Sequence, residues 1–161
     1  MAYTNAVNNP DTALEMFRQL GTDDQLAWLW FVYEQMGESV TPAAPGSASS
    51  EIVSGLFEQV KQQPHEEQLN TMRAIANCDG GNLISREYGS LSANSKLAFW
   101  YLLSCGMDEG TIIPMPDEYE MADAGEDLLA ALETMDFEQQ IRILRDAVAA
   151  MGAEPASGSS I

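Results

Sequence analysis

Leu26, Leu29, Trp30 and Tyr33 recur at the three- and four-residue spacing that lines up side chains along one face of a helix. A second stripe, Leu97, Trp100, Tyr101 and Ser104, follows further along the chain, with Met107 beyond it. The chemistry open to such residues is that of a surface: aromatic faces stack, aliphatic groups exclude water, and each Trp N–H or Tyr O–H seeks a polar partner. Met72, Met107 and Met115 lie on or beside the same elements and belong to a set of nine methionines. Their thioethers pack adaptably against aromatic or conjugated surfaces, at about 0.3–1.5 kcal/mol per contact. Two facing stripes of this kind either fill an interface between helices or wall a cleft with one wet end, and an elongated apolar guest suits such a cleft.

Residue types that turn over substrates are poorly placed by comparison. His65, the one histidine, stands in "QPHEEQ" at a helix start among glutamates and reads as exposed. Cys78 and Cys105 have no activating partner in the sequence and are too few for a disulfide framework or a zinc site, so they read as buried free thiols. The carboxylates are dispersed as a solvated coat. An enzyme is therefore not expected, and the rival to a ligand cleft is a colourless helical adaptor whose aromatic groove takes a partner helix.

Charge narrows the partners. Twenty-five acidic residues against seven basic ones give a formal charge of -18, which leaves little cationic surface for nucleic acid or anionic lipid. The opening "MAYTNAVNNPDT" has neither a basic start nor an apolar stretch, and no run approaches the roughly 20 residues that span a bilayer. A cytoplasmic protein without membrane insertion is expected.

The stripes need helices to position them, and helix signals dominate the chain. Asn9 and Pro10 read as an N-cap and first helical residue opening "PDTALEMFRQL". Thr22 with Gln25 reads as a capping box for the helix holding "LAWLWFVYEQMG", which Gly37 can end. Residues 26 to 33 of that helix are apolar all round, which predicts burial on every side, with Trp28 pointing away from the Trp30 stripe. Further helices are expected from Ser49 or Ser50, from Pro64, from Ser92, and from Asp136 with Gln139, the last closed by Gly152. Two long loops, "ESVTPAAPGSASS" and "DEGTIIPMPDEYEMADAG", lie between them, and "CDGGN" at 78–82 reads as a turn.

The chain also repeats itself. Setting Leu20 against Leu91 matches Leu26 with Leu97, Ala27 with Ala98 and Met36 with Met107, and carries Pro45 onto Pro116. One residue of slip then matches "EEQLNTMR" at 66–73 with "EQQIRILR" at 138–145. The repeat predicts an all-α fold of two small helical bundles about a rough two-fold axis, with equivalent aromatic helices facing each other. Residues 1–152 form this domain, and the small polar tail at 153–161 is expected to be disordered.

The segments "TDDQLAWLWFVYEQMG", "AAPG", "KLAFWYLL", "MDEGTIIPMPDEY" and "QQIRILRDAVAAMG" resemble, in order and spacing, the N-terminal carotenoid-binding domain of the orange carotenoid protein. The resemblance covers about residues 12–152 and implies a stand-alone helical carotenoid protein. It implies two intertwined four-helix subdomains enclosing a ketocarotenoid such as canthaxanthin or echinenone in a tunnel. Leu26, Leu29, Trp30 and Tyr33 would lie along one side of the polyene, and Leu97, Trp100, Tyr101 and Met107 along the other. Met72, Met115, Tyr119, Arg145 and Val148 would complete the tunnel, beside Ser104 of the second stripe. The implied role is photoprotection by quenching singlet oxygen, and possible antenna quenching, without a photocycle of its own. The implied partner is a separate homologue of the family's C-terminal domain that hands over carotenoid. The phycobilisome is less favoured because the acidic surface repels an acidic assembly. A location near the thylakoid surface goes with that role.

Overall fold

The computed structural model describes residues 10–40, 50–116 and 118–153. Among them are eight helices and no strand: α1 (Pro10–Gln19), α2 (Thr22–Val40), α3 (Ser50–Lys61), α4 (His65–Ala76), α5 (Leu83–Gly89), α6 (Ala93–Glu109), α7 (Asp123–Glu133) and α8 (Phe137–Ala149). None of the described helices is long and apolar enough to cross a membrane.

The helices sort into two groups of four, and each half of the chain contributes to both. α1 and α2 pack on α7 and α8, while α3 packs on α5 and α6 and α4 packs on α5. α2 and α6 meet at the seam, where α2 also touches α4 and α6 touches α8. The fold is all-α and repeats its contacts from half to half. Phe17 on α1 meets Trp28 on α2 edge-on, with ring centroids 5.3 Å apart at 61°. Their counterparts in the repeat, Tyr88 on α5 and Phe99 on α6, meet edge-on at 5.5 Å and 64°. Each such pair adds about 0.5–1.5 kcal/mol beyond its area burial.

The helix punctuation is partly as expected. The Asp136 carboxylate accepts from the Gln139 N–H, and the Gln139 side chain accepts in turn from the Asp136 N–H, completing a capping box. Ser92 caps α6 by accepting from the Ser95 N–H. The box expected at Thr22 and Gln25 does not form, because Thr22 is already helical and bonds Asn77, while Gln25 donates to the Phe17 carbonyl 3.0 Å away. Gly37 does not end α2, which runs on to Val40. The cost of one interior glycine, about 1 kcal/mol, does not break a helix that is packed against several others. Two helices were not anticipated. α5 is one of them, a short helix capped by Asn82, and α7 begins inside the second long loop.

Residues beyond α8 are built into the body. The Gly152 N–H donates to the Ile75 carbonyl and the Ala153 N–H to the Ser85 carbonyl, and Met151 and Ala153 are buried. The packed chain thus includes Ala153, which the sequence reading left in the tail. Residues 154–161, the loop stretch 41–49, Asn9 and Pro45 lie outside the described residues.

Candidate ligand groove

α2 and α6 carry the two stripes, and the structure brings their aromatic faces to the seam. A groove of about 530 Å³, its solvent-open mouth included, is lined there by Leu26, Leu29 and Trp30 of α2 and by Trp100, Ser104 and Met107 of α6. Leu69 and Met72 of α4 and the loop residues Ile113, Pro114, Met115 and Pro116 supply the remaining wall. Trp100 is 5% exposed, and its indole N–H is already engaged by the Tyr88 oxygen at 2.9 Å. Its ring therefore faces the groove without an unmet polar atom. Tyr88 passes its own proton to the Val148 carbonyl at 2.7 Å, so the Trp100 ring is braced from α5 and α8.

Eight of the fourteen residues singled out from the sequence line this groove: Leu26, Leu29, Trp30, Met72, Trp100, Ser104, Met107 and Met115. Tyr33 extends the wall at one end, stacked on Trp30 at 5.5 Å and tilted against Tyr101 at 5.7 Å. Its hydroxyl donates to Asp108 at 3.4 Å, and burial, with Cys105 and Asp108 adding to it, pushes the phenol well above its ordinary pKa. Tyr33 is thus a neutral donor at any physiological pH.

The other four stand elsewhere. Leu97 is half-buried against the core, and Val148 is wholly buried behind Tyr88. Tyr119 donates to the Asp24 carboxylate, whose other oxygen accepts from the Ala122 N–H at 3.2 Å, which ties the loop after the groove to the start of α2. Arg145 is half-buried and donates to the Asn94 side chain at 3.3 Å. The two thiols are free, yet Cys78 is exposed and Cys105 half-buried, because Cys78 falls in the turn after α4 with a left-handed φ of 59°. His65 is exposed.

Leu69, Ile113, Pro114 and Pro116 were missed. Leu69 sits three residues before Met72 and so shares its helical face, a signal the periodicity of α4 does carry. The loop residues owe their place to Gly106. A Cβ there would lie 2.4 Å from Ile112, so only glycine lets Ile112 bury against α6 and bring Ile113 over the groove. Gly110, at φ 91°, makes the left-handed stop that turns the chain back.

An all-helical body with an apolar aromatic groove at a two-part seam defines a protein built to hold an apolar ligand, and residues 4–154 match the model of the orange carotenoid protein N-terminal family, whose members bind pigment and are not enzymes. The chain belongs to that family. It is similar to an orange carotenoid-binding domain-containing protein of Nostoc sp. (strain PCC 7120), with 46% identity over 89% of this chain and 84% of that one. It is 36% identical to the orange carotenoid-binding protein of Limnospira maxima, and it spans about half the length of that relative, 47%. Among solved structures, the red carotenoid protein of Anabaena (Nostoc) sp. PCC 7120 binding canthaxanthin has a TM-score of 0.81 at 43% identity, covering 90% of this chain and 99% of that one. The orange carotenoid protein of the same organism, also binding canthaxanthin, has a TM-score of 0.83 at 37% identity, covering 92% of this chain and 48% of that one.

Proposed function

We propose that this chain holds a ketocarotenoid along the seam between α2 and α6 and serves in photoprotection by quenching singlet oxygen. The observation that carries the reading is the groove's lining, in which Ser104 is the one hydroxyl among twelve residues and the Trp100 N–H is already satisfied. A polyene offers no hydrogen bonds along its length, so walls with this few polar side-chain atoms suit it and penalise a polar guest. When bound, a ketocarotenoid supplies low-lying excited states that accept energy from singlet oxygen and release it as heat. Every other task falls to the side chains. Trp30 and Trp100 stack, Met72, Met107 and Met115 fill irregular gaps, and the loop residues shut out water. Tyr33, bonded to Asp108, stands at one end of the wall, placed to meet a ring or keto group.

Arg145 bears on the partner. Its guanidinium donates to the neutral Asn94 side chain on α6, and a separate homologue of the family's C-terminal domain is our favoured contact, as carotenoid donor. Phycobilisome docking ranks lower on a chain of charge -18.

The reading is tested by mixing apoprotein with canthaxanthin, removing free pigment, and recording the visible spectrum and the singlet-oxygen lifetime. A stable orange to red complex that shortens that lifetime is expected, and Tyr33→Ser should weaken pigment retention with little change in melting temperature. A protein that stays colourless after this treatment refutes the reading.

A further inference from the structure

Gln68 is an unusual residue to find at 1% exposure. It lies on α4, and its whole bonding capacity is directed at its neighbours. Its Nε2 donates to the Thr111 carbonyl at 3.1 Å and to the Lys61 carbonyl at the end of α3 at 3.4 Å. Its Oε1 accepts from the Ile113 N–H at 2.7 Å. Thr111 and Ile113 open the stretch that walls the groove through Ile113, Pro114, Met115 and Pro116.

That stretch has few other ties. Ile112 bonds back to Gly106 at the end of α6, and the two prolines have no N–H to give. Among the described residues, the hydrogen bonds that carry 111–116 across to another helix all run through Gln68. The repeat supplies a comparison. Gln140, its counterpart on α8, makes the equivalent bond to the last turn of the preceding helix, donating to Leu132 at 2.9 Å. The bond to the helix before is therefore shared between the repeats, and Gln68 adds to it two bonds to the groove wall.

We propose that Gln68 is the latch of the groove, the positioning residue that holds the 111–116 wall closed, and that breaking its two bonds to the loop limits how fast an apolar ligand enters or leaves. This deepens the ligand reading above and rests on it for the identity of the guest. With Thr111 and Ile112 still tied to Gly106 and Pro116 to Tyr119, and with Pro114 and Pro116 stiffening the segment, the wall between these ends swings once the Thr111 carbonyl and the Ile113 N–H leave Gln68.

Gln68→Met keeps the volume and removes every bond, while Gln68→Glu keeps the acceptor for Ile113 and sets a carboxylate oxygen against two carbonyls. Gln140→Met serves as control, since among the described residues its side chain bonds Leu132 and not the 111–116 wall. Two rates are read: amide hydrogen exchange at Ile113 in ligand-free protein, and transfer of bound canthaxanthin to phosphatidylcholine vesicles. In Gln68→Met both should rise about tenfold to a hundredfold, with neither changed in Gln140→Met. Gln68→Glu should behave likewise at neutral pH and recover toward the parent rate in acid, where its carboxyl regains a proton to donate. Unchanged Ile113 protection in Gln68→Met overturns the latch, and faster Ile113 exchange with unchanged pigment transfer overturns its role as the gate. If the parent protein takes up no canthaxanthin, the ligand reading fails on its own, while faster Ile113 exchange still upholds the latch.

Discussion

Trp28 and Phe99 occupy equivalent places on α2 and α6, as do Phe17 and Tyr88 on the helices before them, yet the two corners are held together differently. In the first, the rings meet edge-on and the Trp28 N–H, 0% exposed, has no partner, the one such buried side-chain atom among the described residues. In the second, Tyr88 accepts from Trp100, donates to Val148, and lies 5.1 Å beneath the Lys96 ammonium. Lys96 donates in turn to the Ala149 and Met151 carbonyls at 2.8 and 3.2 Å, whereas Gln25, its counterpart, makes a single bond to Phe17. The repeat preserves apolar shape and lets polar atoms diverge. The second corner thereby fastens the end of α8 and braces a groove wall, and the first is plain core.

The largest expected effect separating the corners is alkaline. Tyr88 is pushed well above its ordinary pKa by burial, and Tyr33 and Tyr119 are raised by burial with a nearby carboxylate adding to it. Phenols raised in the folded state contribute stability that is fully present below their unfolded pKa of about 10 and is lost as pH climbs past it. Lys96, lowered by burial, acts with the opposite sign up to its unfolded value. Circular dichroism against pH should show cooperative unfolding that begins above about pH 10, and Tyr88→Phe, which copies Phe17, should move that onset upward. An unmoved onset would remove the second corner from the account.

Next in size is Lys96→Met, which strips two carbonyls of their donor. Urea unfolding should show a loss of about 2–3 kcal/mol, against about 0.5–1.5 for Gln25→Met. Equal losses would mean that the clamp on the end of α8 adds nothing. Trp28→Phe should come out near neutral, because relief of an unbonded N–H offsets lost volume, while Trp100→Phe should cost about 1 kcal/mol. The reverse order would show that the Trp28 N–H has a partner after all.

The smallest effect concerns two arginines. Arg73 forms a two-pronged bridge to Asp23 at 2.9 and 3.0 Å, and Arg145, its repeat counterpart, meets Asn94 where the first half has that aspartate. These sites are partly exposed, so Asp23→Asn should cost only about 0.2–1 kcal/mol, and Asn94→Asp should gain no more. Thermal melts at low and high salt check both, and a gain that persists in high salt would contradict the ion-pair account.

The stripes on α2 and α6 were legible because burial at a helical seam imposes a three-to-four spacing that the sequence must carry. The repeat was legible for the same reason, since Leu26 with Leu97 and Gln68 with Gln140 keep matching places. α5 escaped notice because seven residues after a Gly-Gly turn hold too little periodicity, and α7 because Gly125 stands in its first turn, where a Cβ would meet Met121 at 2.6 Å. The loop wall at 113–116 has no period at all. Its position follows from Gly106 and Gln68, and nothing in either residue alone announces a contact more than forty positions away in the Gln68 case.

The exchange of helices between the halves has a consequence for how the molecule is made. α1 and α2 find their packing partners in α7 and α8, so the first bundle cannot close when its first half leaves the ribosome. At about 5–20 residues per second, the wait between the end of α2 and the end of α8 is on the order of ten seconds. Over it the Trp28 and Trp30 faces of α2 gain α6, α7 and α8 only one after another, and are not fully covered until α8 is made. The nascent chain therefore presents part of an apolar, aromatic helix to the cell before its partners from the second half exist, and a cellular chaperone, or an apolar molecule captured during synthesis, meets that surface before those helices do.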